Sequence, residues 1–156
     1  MPETPMSQLS LDALQVAKSQ LGVTEEKNNT GPKVTEYLKA VGLHTGYSWC
    51  AAFVYWCWEQ AAENLKVPNP LIKTAGVLNH WNLTKGMKVK VPKAGDIFII
   101  RHTATNGHTG MVKTVDPIAR TYTTVEGNSN NTGSREGTEV CTNTRKIADA
   151  FGFIRY

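Results

Sequence analysis

The apolar period of the chain changes at Pro92. Ahead of it, apolar residues recur at helical spacing; behind it, they alternate in short runs. A chain that writes helices first and strands afterwards is expected to fold as an α+β domain, with its helices packed on one antiparallel sheet. Its 156 residues suffice for one such domain with a real core and are too few for two ordinary ones.

In the helical half, residues 1–9 read as a flexible tail. Ser10 stands where a first helix would be capped, with Leu11, Leu14, Ala17 and Leu21 on one face and Gly22 at its stop. Pro32 suits the first turn of a second helix, whose stripe is Val34, Tyr37, Leu38 and Val41. Ser48 is the expected cap of a third, over about residues 49–65. Apolar side chains surround the first half of that helix, so it is expected to be buried. A weaker helix is expected over about residues 74–81. In the second half, "GDIFIIRH", "HTGMVKTV", "TYTTVEGN", "TEVCTNTR" and "FGFIRY" give a sheet of about five strands, most of them separated by Gly, Asn, Asp or Pro. One domain is expected to span residues 10–156.

Charge excludes little. Seventeen Lys and Arg against thirteen Asp and Glu give +4 and a pI near 9.0. These charges are scattered, without a basic run or a nucleic-acid motif, so no nucleic-acid partner is expected. The N-terminus lacks a basic stretch followed by an apolar run, and no segment has the length of a membrane span. Synthesis in the cytoplasm without membrane insertion is the expectation.

The three cysteines, Cys50, Cys57 and Cys141, are widely spaced and form no CxxC pair. Neither a disulfide framework nor a zinc site is expected. Cys50 lies at the start of the buried helix, where unpaired amides carry partial positive charge and favour a thiolate. Cys57 is two turns deeper and Cys141 sits in a late strand. Buried cysteine also serves as packing material, and position alone leaves both readings of Cys50 open.

Of the four histidines, His44 and His80 are expected at the surface, and His102 solvated at a strand end. His108 opens a strand that is followed by the turn "DPIAR" and then "TYTTVEGN". If Val115 faces Thr121 in an antiparallel pair, Gly110 faces Glu126 and His108 faces Asn128, all on one side of the sheet. A base needs a partner on its second ring nitrogen, so an imidazole beside Glu126 and Asn128, with a gap at Gly110, suits catalysis. A solvated histidine near a solvated glutamate is the alternative.

"WCAAFVYW" around Cys50, "KAGDIFII" before the histidine strand, "GHTGMV" around His108 and "VEGNSN" around Glu126 and Asn128 follow one another in an order and spacing that resembles the CHAP family. These are cysteine, histidine-dependent amidohydrolases and peptidases within the wider NlpC/P60 group of papain-like folds. The similarity runs from about Leu11 to Tyr156. It implies Cys50 as nucleophile, His108 as general base, Glu126 as the group orienting the imidazole and Asn128 as a polar partner beside it. The Cys50 backbone amide is the expected oxyanion donor, with Tyr47 as a candidate for a second.

The resemblance also implies a substrate, bacterial peptidoglycan. The amide bond cut would join muramic acid to L-alanine, or lie in the peptide stems and cross-bridges. Many members are phage or bacterial lysins. Some carry an acidic calcium loop before the cysteine, but residues 28–48 contain only Glu36 as an acid, so neither a metal nor another cofactor is expected. With 156 residues, the wall-binding module of many members is not expected beside the catalytic domain. A monomeric catalytic domain is expected, reaching the wall after lysis, injection or non-classical secretion, with targeting from its own groove, its mild positive charge or a delivery partner. Trp49, Trp56 and Trp58 are expected in the core. The alternatives are an acyltransferase or transglutaminase-type enzyme with the same residues, and a non-catalytic phage-associated binding module.

Overall fold

The first apolar stripe starts a turn earlier than Ser10. In the computed structural model, which describes residues 5–129 and 138–156, helix α1 runs Pro5–Ser19. Leu9 is fully buried together with Ala13, Leu14 and Ala17, so burial of Leu9 draws the upstream turn into the helix and a proline serves as its first residue. From Pro5 onward the expected tail is therefore helical; residues 1–4 lie outside the described residues.

Helix α2 (Pro32–Ala40) has its proline in the first turn, as expected, and buries Val34, Tyr37 and Leu38. Helix α3 (Cys50–Leu65) is flanked by Trp49 rather than capped by Ser48, and Trp49 makes no side-chain capping bond. It buries Ala51, Ala52, Phe53, Val54, Cys57, Trp58, Ala61 and Ala62. Both α1 and α2 pack on it, and it packs in turn on the sheet. Helix α4 (Val77–Leu83) starts three residues later than the periodicity indicates, after Gly76.

Among the described residues the sheet has seven strands: β1 (Met87–Val89), β2 (Ile97–Arg101), β3 (Gly107–Asp116), β4 (Thr121–Ser129), β5 (Glu139–Cys141), β6 (Thr144–Lys146) and β7 (Gly152–Arg155). Its order is β1-β7-β2-β3-β4-β5, with β6 also on β4, and every pairing is antiparallel. Two strands exceed the expected five. "TEVCTNTR" splits in two because the Asn143 main chain bonds Thr124 in both directions and breaks the run. Strand β1 has three residues, too few to show a period.

The two faces of the sheet have different neighbours. Ile97, Ile99, Met111, Val125 and Ile154 join the helices in the main core. Phe98, Val112, Tyr122 and Phe153 form a second, smaller cluster, as strand alternation requires. Asp96 of "KAGD" ties the edge together: it is buried and accepts from Arg155 Nε at 2.9 Å and Nη2 at 2.7 Å, and from the Lys93 amide at 2.8 Å.

His80 corrects an expectation. It is buried, with Nε2 3.1 Å from the Tyr156 hydroxyl, and burial lowers its pKa to about 4. Its place on the short α4 puts it against Tyr156 rather than in water. His44 and His102 are exposed.

Candidate active site

Cys50 is the first residue of α3 and is 5% exposed. The bond from the Phe53 amide to the Trp49 carbonyl, at 2.8 Å, opens the helical ladder. The amides of Cys50, Ala51 and Ala52 precede it, so the helix start offers donors with no intrahelical acceptor. Gly127 brings the helix close. A Cβ there would lie 2.7 Å from Phe53 and 2.8 Å from Trp49, so only a residue without a side chain lets β4 run beneath these two rings.

His108 on β3 and Glu126 on β4 project from one face of the sheet and are joined: His108 Nε2 lies 2.8 Å from Glu126 Oε1. Cys50 lies close enough to the His108 imidazole to raise its pKa. With Nε2 engaged by the carboxylate, Nδ1 is the ring nitrogen left for the thiol. Thus the structure brings together Cys50, His108 and Glu126 of the expected set.

The assumed strand register is right at this end and wrong at the other. Met111 pairs with Val125 and Val112 with Thr124, as required for Gly110 to approach Glu126. Beyond an irregularity between Val112 and Thr114, Val115 pairs with Tyr122 rather than Thr121. One extra residue, Lys113, accounts for the slip. The expected pairing of His108 with Asn128 is not part of this ladder, which begins at Met111 and Val125. Asn128 has φ 54, a left-handed conformation that takes it out of strand alternation. Asn130 of "VEGNSN" lies outside the described residues.

Gly110 also has a different neighbour from the one expected. A Cβ there would meet the Phe98 ring at 2.7 Å and the Val125 carbonyl at 2.8 Å. The glycine makes room for Phe98, whose ring lies 5.9 Å from that of His108.

Three contributors were not read from the sequence. Arg145 on β6 donates to both oxygens of Glu126, Nε to Oε2 at 2.6 Å and Nη2 to Oε1 at 2.7 Å. Thr124 Oγ1 donates to Oε2 at 2.6 Å. Phe98 underlies His108 and also the Arg145 guanidinium, at 5.5 Å. The available signal was a lone arginine in "TNTR", a candidate strand, but its face depends on the pairing of Arg145 with Tyr122.

These contacts set the charges. Burial opposes a positive His108, yet its interactions with Cys50 and Glu126 prevail, and the imidazole pKa rises to about 9. Burial likewise opposes a charged Glu126, but the bonds from Arg145 and His108 hold its carboxyl well below the usual carboxylate range. Glu126 is therefore an acceptor, and His108 Nε2 carries the hydrogen. A thiol beside an imidazole that is held protonated and oriented by an anion can work as a nucleophile with its own proton carrier.

Other expected positions are less connected. Tyr47 is 53% exposed in the segment before α3. Trp49 and Trp58 are fully buried, as expected, whereas Trp56 is half-buried with the Lys33 ammonium 5.3 Å from its ring centre. Among the described residues, no three His, Cys, Asp or Glu side chains group as metal ligands would, and no helix is long and apolar enough to cross a membrane.

The family model for the CHAP domain matches residues 42–128, more than half of the chain and the part that holds Cys50, His108 and Glu126. The crystal structure of Ly7917 superposes with a TM-score of 0.55 at 17% identity, covering 94% of this chain and 61% of that one. The crystal structure of Ly7917 with the hydrolyzing product of MDP gives 0.43 at the same 17% identity, covering 94% and 62%. The chain thus spans about three fifths of the solved structures it matches. At this identity the first likeness shows the fold alone. A search of curated proteins finds no match.

Proposed function

The chain belongs to the CHAP domain family, and from that premise we propose that it is a peptidoglycan hydrolase, opening amide bonds with Cys50 as nucleophile. The observation that carries this reading is the placement of Cys50, at the start of α3, beside a His108 that is hydrogen-bonded to Glu126. A helix-borne cysteine facing a sheet-borne histidine is also the papain-like arrangement, which forms part of the same proposal. All of this chemistry lies within one catalytic domain.

In the proposed reaction the Cys50 thiolate attacks the amide carbonyl, and His108 carries the proton. The oxyanion that forms points toward the open amides at the helix start, with the Cys50 N–H as the first donor. Collapse breaks the C–N bond, and His108 gives its proton to the leaving amine. A thioester remains on Cys50. Water, deprotonated by His108, then attacks it and restores the thiol with release of the acid. Glu126 stays anionic throughout and holds the ring in register.

The substrate bond is the muramoyl–L-alanine amide or one in a stem or cross-bridge. Mass spectrometry of fragments from purified sacculi distinguishes them. New L-alanine amino groups mean an amidase, and new amines further along the peptide mean an endopeptidase. Release of reducing sugar ends without new amines would remove the reading.

A further inference from the structure

We infer that Arg145 is a positioning residue of this site: its forked hold on Glu126 fixes the oxygen that faces His108 and supplies the cation that balances the site when Cys50 is ionised. The inference rests on the reading of Cys50 as a reactive thiol.

Geometry comes first. The guanidinium spans both carboxylate oxygens at 2.6 and 2.7 Å, and Thr124 takes a further position on Oε2 at 2.6 Å. With His108 on Oε1 at 2.8 Å, the carboxylate has donors on both oxygens and no exposed surface. It cannot rotate without breaking a charge-assisted pair. A planar fork holds a carboxylate in this way, whereas an ammonium is a point charge. Phe98 floors Arg145 and His108 alike, so both cationic groups rest on one ring.

Charge comes second. The row Cys50–His108–Glu126–Arg145 alternates negative, positive, negative, positive when the thiol is ionised, and sums to zero. Without Arg145 the same state would carry a net negative charge in a buried place, which is costly. Among the described residues, titratable groups facing the row include Tyr122 on β4, Cys141 on β5 and Asp149 in the turn after β6, the last acting on Tyr122. Burial holds Tyr122 in its neutral form. Arg145 is a non-titrating cation bonded to the carboxylate.

The test is iodoacetamide labelling of Cys50 at a series of pH values, read by mass spectrometry on the wild type, Arg145→Gln and Arg145→Lys. Arg145→Gln should label about tenfold more slowly or worse near pH 6.5, with the deficit closing toward pH 9. Arg145→Lys keeps the charge and should label within about twofold of the wild type, while its kcat falls about tenfold at unchanged KM because the fork is gone. A deficit in Arg145→Gln that is equal at every pH, or absent, overturns the inference. Should Arg145→Gln fail to fold, Arg145→Lys decides alone: slow labelling near pH 6.5, or an unchanged kcat, overturns it. Labelling needs no substrate. A wild type inactive on sacculi would therefore remove the proposed function and still leave the labelling comparison to judge Arg145.

Discussion

Nε2 of His108 lies 2.8 Å from Oε1 of Glu126, a carboxylate with no exposed surface. The two groups make stability depend on pH from opposite sides. The pKa of His108 is raised from 6.5 to about 9, so its contribution is full below 6.5 and is lost as pH climbs through about 9. Glu126 is depressed, so its contribution is present above the ordinary carboxylate range and is lost on strong acidification. Between pH 7 and 9.5, the Tm of the wild type should fall by roughly 4 °C more than that of Glu126→Gln. Parallel alkaline curves would mean that the pair is not coupled in this way.

Thiol reactivity should separate the three cysteines. Cys57 has no exposed surface, and burial pushes its thiol up. Cys50 starts a helix and lies beside the His108 imidazole. Near pH 6.5, peptide mapping after brief iodoacetamide treatment should find Cys50 modified well before Cys57 and Cys141. Cys50→Ala should abolish turnover with little change in Tm. Uniform labelling, or an active alanine variant, would exclude Cys50 as nucleophile.

Glu126 and Asn128 should differ sharply in mutant kinetics. Glu126→Gln removes the anion beside Nε2 and should lower kcat by about 10²-fold or more. Asn128→Ala alters a residue outside the β3–β4 ladder and should cost less than about tenfold. Steady-state rates on soluble muropeptides rank them, and the reverse order would assign the orienting role to Asn128.

Gly110→Val should harm both fold and activity. Its first side-chain carbon would meet Phe98 at 2.7 Å and a backbone carbonyl at 2.8 Å, and the carbonyl cannot give way cheaply. A loss of about 1–3 kcal/mol is expected by urea denaturation. The surviving folded fraction should have a lower kcat, because a displaced Phe98 no longer supports His108. Wild-type stability in this variant would contradict the described packing.

Patterns carried by many residues in succession were legible in the sequence. The change of period at Pro92 gave the helix-then-strand order, and the apolar run after Trp49 gave the buried helix with its cysteine at the start. Features that depend on contacts distant in sequence were not. Arg145 meets Glu126 only because β6 folds back on the far half of β4. His80 looked superficial because nothing near it in sequence announces Tyr156. The parity of His108 holds although Val115 pairs with Tyr122 rather than Thr121, because the slip lies between the two places. The helix start moved to Pro5 because one leucine packs against the core, which propensity alone does not weigh.

The slip at Lys113 has an engineering consequence. Residues on the His108 side of it take their parity from Met111 and Val125, and residues on the far side from Asp116 and Thr121. At the tip, Ile118 is 94% exposed and no part of the proton path passes through it. The hairpin tip is therefore a port for new sequence. A short peptide inserted there would lengthen the protein without re-aiming the imidazole, so a new binding segment could be added while the arrangement of Cys50, His108 and Glu126 stays in place.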